Sequence, residues 1–148
     1  MKKRFSWHQS NIILFFLAAS CQGQDPKLSG CQQFITIKQA TDNRTLELSE
    51  NLPARNQENI IAAADNFENA AAKIANIAIE DSTLVELKAD WSQFYRDRSQ
   101  ATRDYIKAFD RGDISATKQT IDKIKQLDRT EIKLVELINS YCHEKPAN

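Results

Sequence analysis

The sequence predicts an all-α protein, an up-down-up-down four-helix bundle, from three observations. Glycine and proline number only three each in 148 residues, so few turns are available. No alternating run rich in Val, Ile and Thr marks a strand. Apolar residues recur instead at steps of three and four, the period of a helix with one buried face.

The first helix is expected from about Ser29 to Glu50, with Phe34, Ile37, Thr41 and Leu48 near helical spacing. It is the least patterned, and the polar run Thr41-Asp42-Asn43-Arg44 is a place for it to break. If it fails, a three-helix bundle with an N-terminal arm is the fallback. Pro53 marks the next turn, because proline is tolerated where a helix starts.

The second helix, about Ala54 to Ile79, is the clearest: Ile60, Ala63, Phe67, Ala70, Ile74 and Ile77 form its seam. Asn59, Asn66, Asn69, Lys73 and Asn76 lie opposite and read as a solvated row. Its eight alanines between Ala62 and Ala78 either let a neighbouring helix approach closely or leave room for an apolar ligand. Periodicity does not separate these two readings.

Thr83-x-x-Glu86 has the form of a capping box and should open the third helix. Leu84, Leu87, Trp91, Phe94, Ala101, Tyr105 and Phe109 are its stripe. Gly112 suits a left-handed helix end and Asp113 the next N-cap. The fourth helix then runs from about Ile114 to Cys142, with Ile121, Ile124, Leu127, Leu134, Ile138 and Tyr141 inward. Short connections make sequential neighbours antiparallel. The bundle is assigned to residues 30–143, and residues 144–148 to a short polar tail.

Ahead of the bundle, Lys2, Lys3 and Arg4 precede eight apolar residues, Ile12 to Ala19, and then small residues before Cys21. That is the layout of a secretory signal, here residues 1–20, and the apolar run is too short for the ~20 residues of a membrane span. Leu17-Ala18-Ala19-Ser20-Cys21 resembles the lipobox of bacterial lipoproteins. It departs from the commonest pattern, since Ala18 stands third before the cysteine and Leu17 one place further out. The resemblance covers the signal alone. It implies cleavage before Cys21, acylation of that cysteine, and a protein exported and lipid-anchored to a bacterial membrane, on its periplasmic or outer face. Residues 21–29 then read as a tether from membrane to bundle.

Three cysteines are an odd number for an exported chain. With Cys21 acylated, Cys31 and Cys142 remain and are expected to pair. The first helix of an up-down-up-down bundle begins where the fourth finishes, which places them together.

Removing residues 1–20 takes away three bases and no acid, leaving seventeen basic against twenty acidic side chains, a net charge of −3. Nucleic-acid binding, which needs a basic footprint, is not expected. On the third helix Arg96, Arg103, Lys107 and Arg111 align, but Asp97, Asp104 and Asp110 interleave them and dilute their field. The mature chain holds one histidine, His143, and no HExxH, CxxC or Gly-rich loop, so no metal, cofactor or catalytic triad is expected. Covalent haem through CxxCH fails because Asn139 stands where the first cysteine belongs.

Arg98 falls on the third helix's inward stripe, where a charge needs a partner. Antiparallel pairing about Gly112 brings it opposite Asp128 and Glu131. The expected function is that of a noncatalytic interaction or scaffold module serving another envelope protein. The alternative is a carrier or sensor of a small apolar ligand held within the bundle.

Overall fold

Four helices, α1 (Pro26–Glu50), α2 (Gln57–Ala75), α3 (Ser82–Asp110) and α4 (Ile114–His143), make up a computed structural model that describes residues 25–50 and 57–143. No strand occurs among the described residues. Side-chain bonds fix the direction of each helix. Asn59 reaches the Leu48 carbonyl and Asn66 the Thr41 carbonyl, so α1 and α2 run antiparallel. Ser92 donates to the Ala71 carbonyl, and Arg103 pairs with Asp65, setting α3 against α2. Arg98 pairs with Asp128, and Tyr141 donates to Asp81, returning α4 along α3. Cys142 then meets Cys31, which completes the up-down-up-down order.

The helix α1 is continuous through Thr41-Asp42-Asn43-Arg44. Thr41 and Thr45 hydroxyls donate back to the Ile37 and Thr41 carbonyls, and Lys38–Asp42 and Arg44–Glu47 pairs span its turns. The helix also starts earlier than its apolar spacing indicates. Residues 26–29, read as tether, already belong to it. Asp25 Oδ1 accepts from the Lys27 amide at 2.9 Å, and Pro26 occupies a position where a missing N–H costs nothing. Gly30 is a packing residue rather than a loop residue: a Cβ there would lie 2.7 Å from Leu84 Cδ1.

The asparagine row on α2 is not simply solvated. Asn66 donates to the Thr41 carbonyl at 2.9 Å and to the Thr45 hydroxyl at 3.1 Å, stitching α2 to α1. The helix ends at Ala75 rather than Ile79, because the Ile77 amide closes a tight turn on the Ile74 carbonyl. Ile77 still turns inward. Ala64, Ala70 and Ala71 are fully covered, so the small residues serve close helix approach.

At the start of α3 the cap is Asp81 rather than Thr83. Its Oδ1 accepts from the Leu84 amide at 2.9 Å while Oδ2 accepts from the Tyr141 hydroxyl at 2.6 Å. The bond to Tyr141 orients the carboxylate, and with the Leu84 amide it holds Asp81 below the usual carboxylate range. The sign follows from that depression: the stabilisation is full above the ordinary value of 3.8 and is lost as pH falls through the depressed one. Asp81→Ala is expected to lower stability by about 1 kcal/mol at pH 7. The loss should shrink as urea melts are taken toward pH 2, and an equal loss at both pH values would exclude this account.

The α3–α4 turn is a Schellman ending. Gly112 has φ of 65°, its amide bonds the Phe109 carbonyl, and the Asp113 amide bonds the Ala108 carbonyl. Asp113 then caps α4 by accepting from the Ala116 amide at 2.9 Å. The core is richest toward the joined ends of α1 and α4, where Cys31, Phe34, Ile74, Leu84, Trp91 and Ile138 cluster.

Candidate functional site

The four helices do not close evenly. α2 packs closely on α3, whereas α1 and α4 are held together at a few points along their length. Cys31 and Cys142 form a disulfide with Cα atoms 5.8 Å apart. Nearby, the Lys27 ammonium lies 4.2 Å from the centre of the Tyr141 ring. Between α1 and α4 opens a cavity of about 180 Å³. Phe34 and Ile35 line its α1 side, Val135 and Ile138 its α4 side, and Ile74 and Trp91 its base.

Lys38 bridges the mouth. Its Nζ lies 2.6 Å from Asp42 Oδ2 and 3.1 Å from Glu131 Oε1, and 5.9 Å from the Trp91 ring centre. Burial alone would lower the Lys38 pKa, but the bonds to Asp42 and Glu131 outweigh it and hold the ammonium above its ordinary value. Burial also pushes the Tyr95 hydroxyl far up, aided by the negative charge of Asp42 and Glu131, so it remains protonated. The Trp91 Nε1–H is buried with no hydrogen-bond partner among the described residues.

Arg98 is mostly covered, its side chain 20% exposed, and its Nη1 bonds Asp128 and, at 3.4 Å, the Ile124 carbonyl. Its guanidinium also stands 5.7 Å from the Phe67 ring centre. Glu131 is not its partner: that carboxylate faces α1 and serves Lys38. The Arg98–Asp128 pair is half-open rather than buried, since Asp128 is 49% exposed. Its stabilisation is therefore modest. Of the basic row, Arg103 is paired with Asp65, and Arg96, Lys107 and Arg111 are exposed. Cys21 lies outside the described residues.

A second feature stands at the opposite end from the disulfide, beside the α3–α4 turn. Phe109, Ile114 and Ile121 are 43%, 85% and 37% exposed and line one shallow depression with Gly112, Thr117 and Lys118. Helical spacing assigned Phe109 and Ile121 to the interior. Phe109 instead stacks on Tyr105 of its own helix, with ring centres 6.1 Å apart. On α4 the inward line passes through Thr117, Thr120 and Ile124, one position aside from Ile121.

Among the described residues no group of three or more His, Cys, Asp or Glu side chains is arranged to hold a metal. No helix there is long and apolar enough to cross a membrane. No protein-family model matches the chain, and no curated protein and no solved structure matches it significantly.

Proposed function

We propose that the protein is a noncatalytic interaction module of the bacterial envelope, tethered by lipid on Cys21 and engaging a protein partner through the α3–α4 end of its bundle. The observation that carries this is the apolar group Phe109, Ile114 and Ile121, exposed together at the helical hairpin. Contiguous apolar surface of this kind is characteristic of association sites. Its position suits the role. The 30 residues of α4 separate it by about 44 Å from the end where the chain leads back to Cys21. A membrane-tethered bundle would thus present it to partners beyond the lipid surface.

The test is site-specific photocrosslinking in the native host. A photoreactive residue at Ile114 should give one discrete protein adduct, whereas one at exposed Gln93, on another part of α3, should not. Ile114→Lys with Ile121→Lys should abolish an adduct formed from position 118. Fatty-acid labelling should be lost in Cys21→Ser, together with membrane retention and the adduct. Equal crosslinking from positions 93 and 114 would defeat the docking assignment, and undiminished label in Cys21→Ser the anchor.

A further inference from the structure

A different feature carries a small-molecule reading, independent of docking at the hairpin end. The α1/α4 cavity, at about 180 Å³, is slightly larger than the ~150 Å³ cavity known to admit benzene in another protein. It therefore has room for one ring-sized body. Its lining is chiefly aliphatic and aromatic, from Phe34, Ile35, Ile74, Trp91, Val135 and Ile138.

Charge at the mouth selects the rest of the ligand. One cation, Lys38, faces two carboxylates, Asp42 and Glu131. The balance is negative, and the indole of Trp91 adds the negative face of its ring. The protein already holds a primary ammonium in this setting, the Lys38 Nζ between Asp42 and Glu131. The carboxylates of Asp42 and Glu131 remain 51% and 30% exposed, and a carboxylate accepts several donors, so each has room for another. An anionic head would meet net repulsion there.

We propose that the α1/α4 cavity binds a small organic ammonium ion, with its ring-sized apolar body inside and its charged head between Asp42 and Glu131. Lys38 stays in place and shares the two carboxylates. Trp91 beneath the body reports the occupancy.

Benzylamine, benzyl alcohol and benzoate are isosteric probes of this assignment. Each is titrated into the purified protein while the indole N–H resonance of Trp91 is followed by NMR; Trp7 stands in the expected signal, and a Trp7→Phe chain gives the unprocessed form the same single resonance. Benzylamine should shift the Trp91 signal saturably and bind about tenfold more tightly than benzoate, with benzyl alcohol between, as one screened charge interaction implies. Asp42→Asn combined with Glu131→Gln should bring benzylamine down to the level of benzyl alcohol. Val135→Phe, which fills the cavity from its half-covered side, should abolish all three. Benzoate binding as tightly as benzylamine would overturn the ammonium assignment. An unmoved Trp91 signal, or binding that survives Val135→Phe in a chain with unchanged helical signal, would overturn the site.

Discussion

Breaking the Cys31–Cys142 bond is expected to remove about 4–5 kcal/mol of stability. The cysteines are 111 positions apart, so the bond closes almost the whole domain into one loop and withholds that much freedom from the unfolded chain. Its place in the native packing increases the consequence. α1 is bound to α2 by Asn59 and Asn66, but its contacts with α4 concentrate at the disulfide, with Lys27–Tyr141 and Lys38–Glu131 as polar supports. A small domain carries 5–15 kcal/mol in total, so the loss is a large fraction of it. Urea melts with and without reductant, and of Cys31→Ser/Cys142→Ser, check the expectation. Reductant should lower the midpoint of the native chain and leave the double variant unmoved. Identical midpoints for the native and doubly substituted chains would remove the disulfide from any account of stability.

Trp91→Ala is expected to cost about 3–5 kcal/mol, the range for emptying a large aromatic site in a core. Trp91 is 2% exposed and packs on Phe94 and Tyr95, with ring centres 5.6 and 5.5 Å away. It also carries weight from α3 toward α1, because Phe34 and Ile74 share its cluster. Trp91→Phe should behave quite differently. The indole N–H is buried and has no partner among the described residues, a desolvation cost of about 1–3 kcal/mol that phenylalanine does not carry. The smaller ring loses contact area of similar worth, so the net change should stay within about 1 kcal/mol. Urea unfolding of the two variants side by side decides the matter. A Phe variant as damaged as the Ala variant would mean that the N–H is satisfied in solution and that the full indole is required.

What the sequence made legible was the periodic part of the structure. Ile74, Trp91, Phe94, Leu134 and Ile138 are buried where steps of three and four put them, because a helix turns those intervals into one face. The cysteine positions were legible for a related reason, since topology brings the start of α1 beside the last turn of α4. Features that depend on a distant partner were not. Asp81 outcompetes Thr83 as a cap with the help of Tyr141, sixty residues away, which no local motif encodes. Gly30, at the boundary between the expected tether and the bundle, gives Leu84 space at a helix crossing, which no spacing encodes. The choice of Glu131 between Arg98 and Lys38 turned on which side of α4 faces α1. Spacing gives the angle of a residue around its helix but not the gap between two helices. The α1/α4 cavity is such a gap, and Phe109 and Ile121 show the related limit: a stripe continues past the last neighbour able to cover it.

The disulfide has a mechanical consequence as well. Any pull on the residues before Pro26 enters the bundle through the first turn of α1. Without the cross-link, tension would be taken by α1 alone and passed on only along its flank with α2. With Cys31 bonded to Cys142, the load divides at that point, and α4 takes its share lengthwise along its packed flank with α3. Two flanks then carry the load lengthwise, and more contacts must yield together. Under the proposed anchor on Cys21, the domain would hang from two helices, and traction applied at the Phe109–Ile114 end would reach the N-terminal residues through both.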